Sequence, residues 1–192
     1  WLLLLAGLSA LTLLMGNLGA IPQTDLKRFL GYSGIAHAGF LLMAIATHTE
    51  DSAGAILFYL VAYLFANIAA FLVVVVVSRT ADNAHMDRVN GLADRSPFLA
   101  VILTIALLSL AGVPPLAGFF AKFYVFVAAI KAGMFTLSVV GVLASVVGAY
   151  YYLLIVKVMY FDEPLAEVDP MRVELRTVLA VAGLFNIFFF VY

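Results

Sequence analysis

One lysine stands inside the proline-interrupted apolar segment LAGVPPLAGFFAKFYVF, which runs from Leu110 to Phe126. Lys122 lies seven residues after Pro115 and eight residues before the apolar run ends near position 130. A charge at the centre of a membrane span costs about 2.5 to 3.5 kcal/mol on insertion scales, so this residue needs a compensating reason. A lysine that lines a wet cavity can exchange its proton as its surroundings change. The alternative is a static ion pair with a carboxylate on a helix outside this chain.

The same segment carries the residues that break a helix. Pro114 and Pro115 have no N–H group, so the carbonyls four residues before them lose their helical partners. Gly112 and Gly118 flank this point and permit the backbone angles and close approach that a re-formed helix requires. In lipid the freed carbonyls must face protein or water, which is typical of ion sites in transporters. A packing kink without function is the other interpretation.

A histidine forms a second candidate site. His37 lies nine residues after Arg28, about 13 Å deeper at 1.5 Å per helical residue, and Ser33 precedes it by one turn on the same face. An imidazole between hydroxyl groups can relay protons through water near neutral pH. A histidine that only bonds a neighbouring helix is the alternative.

Three further side chains are weaker candidates for a proton path. Lys27 stands with Arg28 before an apolar span, where basic residues ordinarily anchor a helix, although it could also help a proton enter. Tyr63 and Tyr124 could form the wall of a wet path, but tyrosine is also a common interhelical hydrogen-bond partner.

These residues lie in a chain whose composition indicates a lipid environment. Hydrophobic residues make up 66% of the 192 residues and charged residues 11%, and the mean hydropathy is +1.15. Such a chain has too few polar residues to cover a soluble domain. The absence of cysteine excludes disulfides, thiolate metal sites and iron–sulfur ligation, and the three histidines are scattered. No nucleotide-binding glycine loop and no basic patch for nucleic acid occurs.

Charge clusters divide the chain into apolar stretches long enough to span the hydrocarbon. The sequence therefore predicts an all-α polytopic transmembrane bundle, a single membrane domain over 1–192. Aromatic residues such as Tyr150, Tyr151, Tyr152, Tyr160 and Phe161 fit an interfacial belt and favour helices over a barrel. Six spans are predicted, at about 1–22, 29–47, 53–78, 97–130 with the internal break at Gly112–Pro115, 134–160 and 176–192.

Loop charge predicts the orientation. The loops and span ends after spans one, three and five hold most of the basic residues and are therefore cytoplasmic, which places both ends of the chain on the outer, periplasmic side. Since the sequence begins at Trp1 and ends within an apolar run, we expect a fragment of a longer protein. The basic residues of the cytoplasmic set are Lys27, Arg28, Arg79, Arg88, Arg95, Lys157, Arg172 and Arg176.

Two motifs carry a family resemblance that covers essentially the whole chain. The stretches SLAGVPPLAGFFAKFYVF and GNLGAIPQTDLKRFLGYSGIAHAGF resemble the signature segments of the antiporter-like subunits of respiratory complex I, the NADH:quinone oxidoreductase. The form of the first motif most resembles the subunit N group, including its mitochondrial and chloroplast counterparts. The resemblance implies that this chain corresponds to the last six of about fourteen helices.

The resemblance implies a proton-translocating subunit without redox chemistry of its own. It places Lys122 as the lysine of the second broken helix, at the outer half-channel, while the first broken helix would precede Trp1. No cofactor is expected in this subunit, whereas NADH, flavin, iron–sulfur clusters and quinone belong to the parent complex. The expected partners are neighbouring antiporter-like subunits and the lipid of a bacterial inner membrane or an equivalent energy-converting membrane, with no nucleic acid.

Two other functions stay open at this point. A multisubunit cation/proton antiporter, or the membrane arm of a related hydrogenase, would share the architecture and the ion-site geometry. A structural membrane subunit without a transport path would carry Lys122 in a dry site with a permanent carboxylate partner.

Overall fold

The computed structural model describes residues 1–49, 52–79, 84–164 and 171–189. Within these ranges the regular structure is helical, apart from one isolated bridge between Asp25 and His85. A 3₁₀ turn covers Met86–Val89. The α-helices are α1 (Leu2–Ala20), α2 (Leu26–Thr47), α3 (Ser52–Val77), α4 (Leu92–Arg95), α5 (Pro97–Ala111), α6 (Ala117–Lys131), α7 (Phe135–Phe161) and α8 (Val173–Phe188).

Four of these helices are long and apolar enough to cross a membrane, namely α1, α2, α3 and α7. Their ends differ from the predicted spans by at most three residues. The largest difference is at the start of α2, where the Asp25 side chain accepts a 2.9 Å hydrogen bond from the Arg28 N–H and caps the helix earlier than predicted. The predicted all-α class is confirmed for the described residues.

The other two predicted spans correspond to shorter helices. The stretch 97–130 contains α5 and α6, each of 15 residues and therefore about 22 Å long, less than the hydrocarbon thickness of about 30 Å. The last stretch contains α8, which has 16 residues, and its positions 190–192 lie outside the described residues. The six-span arrangement with a broken fourth span therefore stays a prediction.

The apolar core consists of two clusters. One cluster, around Leu103 and Tyr152, joins the second halves of α3 and α7 to α5. The other, around Phe40 and Val125, joins α1 and the first halves of α3 and α7 to α6. Helix α2 contributes to both clusters, and Tyr63 packs against both. The predicted polar residues of α2 and α3 thus lie near the junction of the two clusters.

The ends of α1, α3 and α7 lie on the same side of the bundle. The Leu26 N–H donates a 2.8 Å hydrogen bond to the Ala84 carbonyl, which joins the connection after α1 to the connection after α3. The Gly91 N–H donates to the Val158 carbonyl near the end of α7, at 3.1 Å. These are the helix ends whose basic residues the sequence placed together.

The interfacial belt interpretation is wrong for two of the five aromatic residues at the end of α7. Tyr160 and Phe161 are exposed at the end of α7, as a belt requires, and Tyr150 is exposed eleven residues before that end. Tyr151 and Tyr152 are 4% and 1% exposed, because neighbouring helical residues point in different directions and these two rings face α1 and α2. Burial makes their hydroxyl groups part of the interior.

Candidate functional site

Lys122 binds the backbone at the point where α5 ends. Helix α5 ends at Ala111, and the residue four positions later is Pro115, which has no N–H to donate to the Ala111 carbonyl. Lys122 Nζ donates to that carbonyl at 2.8 Å instead. The lysine is 6% exposed. Its buried ammonium therefore replaces the backbone N–H that Pro115 lacks.

Two glycines shape this interruption. Gly112 has a φ of +86°, in the left-handed region that favours glycine, and a Cβ there would lie 2.9 Å from Lys122 Cδ. Gly118 donates its N–H to Ser109 Oγ at 3.1 Å, and a Cβ on it would lie 1.8 Å from the Ser109 carbonyl oxygen. Because no side chain fits there, the start of α6 can approach the end of α5 and bring Lys122 to the freed carbonyl.

The second contact of Lys122 is aromatic. Its Nζ lies 5.0 Å from the centroid of the Phe40 ring, within the range of a cation–π interaction. Across residues 1–49, 52–79, 84–164 and 171–189, no carboxylate lies within ion-pair distance of Lys122. Within the described part of the chain, both partners of the ammonium, the Ala111 carbonyl and the Phe40 ring, are neutral. An ion pair with a carboxylate outside this chain stays the alternative.

A continuous chain of hydrogen bonds surrounds His37, which is 5% exposed on α2. His37 Nδ1 shares a 2.6 Å hydrogen bond with the Tyr59 hydroxyl, and Nε2 shares a 3.3 Å one with the Tyr152 hydroxyl. The Tyr152 hydroxyl also bonds Ser33 Oγ. Each hydroxyl can donate and accept, and an imidazole has two ring nitrogens, so a proton could pass along the whole chain. We call Ser33, Tyr152, His37 and Tyr59 the histidine network.

A small cavity separates the histidine network from the helix interruption. Its volume is about 10 Å³, close to the minimum that holds one water molecule. His37 and Tyr63 line it on one side, and their rings lie 4.8 Å apart. Ser109 and Gly118 line the other side, with Ala121 directly before the lysine. A water molecule here would stand between the imidazole and the segment that carries Lys122.

The structure brings together only some of the predicted path residues. His37 and Ser33 belong to the histidine network, and Tyr63 and Gly118 line its cavity. Lys122 and Gly112 lie beside each other at the helix interruption, where Ala121, the neighbour of the lysine, lines the cavity. Lys27 is exposed in the first turn of α2. Tyr124 is 43% exposed, and its ring packs on Phe58 at 5.1 Å. Pro114 and Pro115 are exposed in the connection between α5 and α6.

Three residues of the site were not predicted. Tyr59 precedes Tyr63 by one helical turn, so the spacing could have indicated it. Phe40, which contacts Lys122, has the look of an ordinary core residue. Tyr152 lies 119 residues from Ser33 and 115 from His37, and no local pattern connects them. The site is suited to moving protons, and among the described residues no group of three histidine or acidic side chains could hold a metal ion.

Comparison with known proteins finds similar sequences and similar structures. The chain is 43% identical over 194 aligned residues to the NADH-quinone oxidoreductase subunit N of Parvibaculum lavamentivorans. This alignment covers 100% of this chain and 40% of that protein. A chain of respiratory complex I from Thermus thermophilus matches with a TM-score of 0.85 at 36% identity, over 95% of this chain and 42% of that one. A chain of the Mrp complex from Dietzia sp. has the same fold, with a TM-score of 0.87 at 21% identity over 98% and 44%.

The chain thus spans about two fifths of the length of the curated relative and the structural matches described above. The resemblance to subunit N that the two motifs carried is confirmed by the relative from Parvibaculum lavamentivorans. Residues 1–148 match the family model described as NADH:quinone oxidoreductase/Mrp antiporter, TM. The chain therefore belongs to the NADH:quinone oxidoreductase/Mrp antiporter family of transmembrane proteins.

Proposed function

We propose that this chain is part of a membrane subunit of NADH:quinone oxidoreductase that translocates protons while quinone is reduced elsewhere in the complex. The observation that carries the proposal is the bond from the buried Lys122 Nζ to the Ala111 carbonyl. A buried charge held at a helix interruption is a costly arrangement that serves ion or proton movement in membrane proteins. The similarity to a subunit N supports the choice of complex.

In this proposal α5 and α6 together form one broken span, and α8 forms the sixth. Neither α5 nor α6 alone is long enough to cross the hydrocarbon, whereas the two in sequence are. The ends of α1, α3 and α7 meet on one side, where the basic loop residues lie, and the positive-inside rule makes that side cytoplasmic. Both ends of the chain then lie on the outer side of a bacterial inner membrane or an equivalent membrane.

The histidine network forms the inner part of the proton path. A proton passes between Ser33, Tyr152 and His37, and from the imidazole through a water molecule in the cavity towards Lys122. Lys27, at the start of α2, would lie at the cytoplasmic mouth of this path, six residues before Ser33. Tyr124, beyond the lysine on α6, would line its outer part.

Lys122 is the switching residue of this path. A backbone carbonyl and a ring face bind an ammonium less strongly than a carboxylate does. The charged form is therefore not locked in place, and a rearrangement of the helix interruption can release the proton. Gly112, against which the lysine stem packs, is the residue about which such a rearrangement would occur.

The subunit would act as a translocase without redox chemistry. NADH, flavin, iron–sulfur clusters and quinone would be bound by other parts of the complex, with neighbouring antiporter-like subunits and lipid as the contacts of this chain. Exchange of metal cations is less well supported, because hard cations require several oxygen ligands and one carbonyl faces the lysine.

The test is proton pumping by the whole parent complex in sealed vesicles, measured together with quinone reduction. We expect Lys122→Met, which keeps the length of the side chain and removes the charge, to lower the number of protons moved per quinone reduced. Lys131→Met is the matched control, since Lys131 is the exposed last residue of the same helix. The control should pump normally.

Unchanged pumping per quinone in Lys122→Met, in complexes assembled to the normal level, would contradict the proposal. It would then favour a structural subunit. Sodium-dependent proton movement in the unsubstituted complex, retained when the quinone site is inhibited, would instead favour a cation/proton antiporter.

A further inference from the structure

An open groove separates the end of α3 from the start of α8, and none of its described lining residues belongs to the histidine network. Its volume is about 560 Å³, within the range of about 300 to 1,000 Å³ that is common for small-molecule sites. Its walls are apolar and include Val75, Leu175 and Val178. Two guanidinium groups and one carboxylate, from Arg79, Arg172 and Glu174, complete the lining.

The two arginines of the groove lie at helix ends. Arg79 is two residues beyond Val77, where α3 ends, and Arg172 directly precedes Val173, where α8 begins. The ends of apolar membrane helices lie at the level of lipid headgroups, and the apolar walls of the groove continue from there along the helices. The groove thus has a positively charged mouth at headgroup depth and an apolar interior.

The two arginines at this mouth differ from other arginines nearby. The guanidinium of Arg176 lies over the Phe98 ring at 5.1 Å, and Arg95 donates to the backbone carbonyls of Arg88 and Asn90. Neither Arg79 nor Arg172 forms an ion pair or a side-chain hydrogen bond with any residue that the structure describes. Among the described residues that line the groove, two arginines and one glutamate leave a formal charge of +1.

We propose that this groove binds one anionic phospholipid, with the phosphate between Arg79 and Arg172 and an acyl chain along Val75, Leu175 and Val178. Arginine recognises phosphate by paired hydrogen bonds, and basic pockets between membrane helices bind anionic headgroups. A singly negative headgroup neutralises the groove, whereas a zwitterionic one leaves its charge uncompensated. The lipid site stands apart from the proton path and does not depend on it.

The test uses the purified parent complex in detergent and a phosphatidylglycerol with a photoreactive acyl chain, followed by peptide mapping of the labelled residues. A phosphatidylcholine with the same acyl chain is the comparison lipid. We expect phosphatidylglycerol to label the peptides that contain 75–79 and 171–178 at least about fivefold more than phosphatidylcholine does.

Substitutions in the mouth should change this labelling in opposite directions. Arg79→Gln and Arg172→Gln should each reduce it about fivefold, since a basic residue near a membrane surface contributes about 1 kcal/mol to anionic lipid binding. Glu174→Gln should increase it, because a repelling carboxylate is lost. Arg79→Lys should keep most of the labelling, and Arg176→Gln, on the same helix but held by Phe98, should stay within twofold.

Equal labelling by the two lipids, or no labelling of these peptides, would overturn the proposal. A loss of labelling in Arg176→Gln as large as that in Arg79→Gln would also overturn it, because it would indicate general attraction to the charged surface. Displacement of the lipid by millimolar inorganic phosphate would overturn it as well, because it would indicate a site for free anions. If Arg79→Gln prevents assembly on native gels, Val178→Trp, which fills the groove from its apolar wall, replaces it and should abolish labelling. Lys122→Met should leave labelling unchanged, so failure of this proposal is separate from failure of the proton path.

Discussion

Two buried hydrogen-bond clusters meet at neighbouring residues of α7, and they end differently. The Tyr151 hydroxyl donates to Asn17 Oδ1 at 3.0 Å, and Asn17 Nδ2 donates to the Leu13 carbonyl at 2.8 Å. Both side chains are buried. A backbone carbonyl accepts a hydrogen bond but has no proton to pass on, so this cluster joins α7 to α1 and ends there.

The cluster at Tyr152 is equally buried and has similar chemistry, but its hydrogen bonds continue to further side chains. Its hydroxyl meets Ser33 and His37, and His37 meets Tyr59 and lines the cavity before Lys122. Every member can both donate and accept. The comparison teaches that buried polarity alone does not mark a path, and that continuity through groups with an exchangeable proton does.

The largest expected difference comes from removing one member of each cluster. His37→Leu should slow proton transfer through this subunit about a hundredfold, the lower end of what a positioned acid–base group contributes to a rate, and should therefore lower the number of protons pumped per quinone. Asn17→Leu should leave pumping within about twofold, because its cluster ends on a carbonyl. Pumping in sealed vesicles, normalised to quinone reduction, measures both. Equal losses in complexes of equal stability would remove the distinction between the clusters.

A smaller and sharper difference is expected from the neighbouring tyrosines. Tyr152→Phe removes the hydroxyl that joins Ser33 to His37 and should slow pumping about tenfold, as expected for about 1.4 kcal/mol of lost interaction. Tyr151→Phe should pump normally and lower the free energy of unfolding by about 1 kcal/mol, since Asn17 loses a donor. Pumping rates and thermal unfolding of the complex report the two effects. Slower pumping in Tyr151→Phe than in Tyr152→Phe would reverse the assignment.

The smallest expected effect tests the water without touching a polar group. Ala66 lines the cavity, so Ala66→Val should exclude water and slow pumping about fivefold, as expected for one lost water-mediated contact of about 1 kcal/mol. Ala69, buried on the same helix, does not line the cavity, and Ala69→Val is the control for crowding. Equal rates in the two variants would mean that no water in this cavity takes part.

Local sequence predicted the features that depend on neighbouring residues. Four apolar stretches became helices within three residues of their predicted ends, because a backbone in lipid must satisfy its own hydrogen bonds. The prolines predicted a carbonyl without a helical N–H donor. In the structure this is the Ala111 carbonyl, which accepts a hydrogen bond from Lys122 Nζ. The start of α2 was predicted late because the Asp25 cap, a single side-chain contact, does not change the apolar pattern.

Contacts between distant parts of the chain were beyond such patterns. Tyr152 was assigned to an interfacial belt together with Tyr150, although the two rings lie on different faces of α7. Which tyrosine turns inwards depends on the rotation of α7 against α2, and that rotation is determined by packing across the whole bundle. Tyr124 and Lys27 are exposed and lie outside the histidine network, and their part in the path stays a prediction.

The sequence by itself determined that this chain is helical, that it belongs in lipid, and that a lysine follows a helix interruption, because hydropathy and the missing proline N–H groups act within a few residues. Only the tertiary structure decided that His37 lies between Tyr59 and Tyr152 and that Lys122 rests on Phe40. Hydrogen bonds of about 3 Å depend on the relative rotation and depth of whole helices, which no single segment encodes.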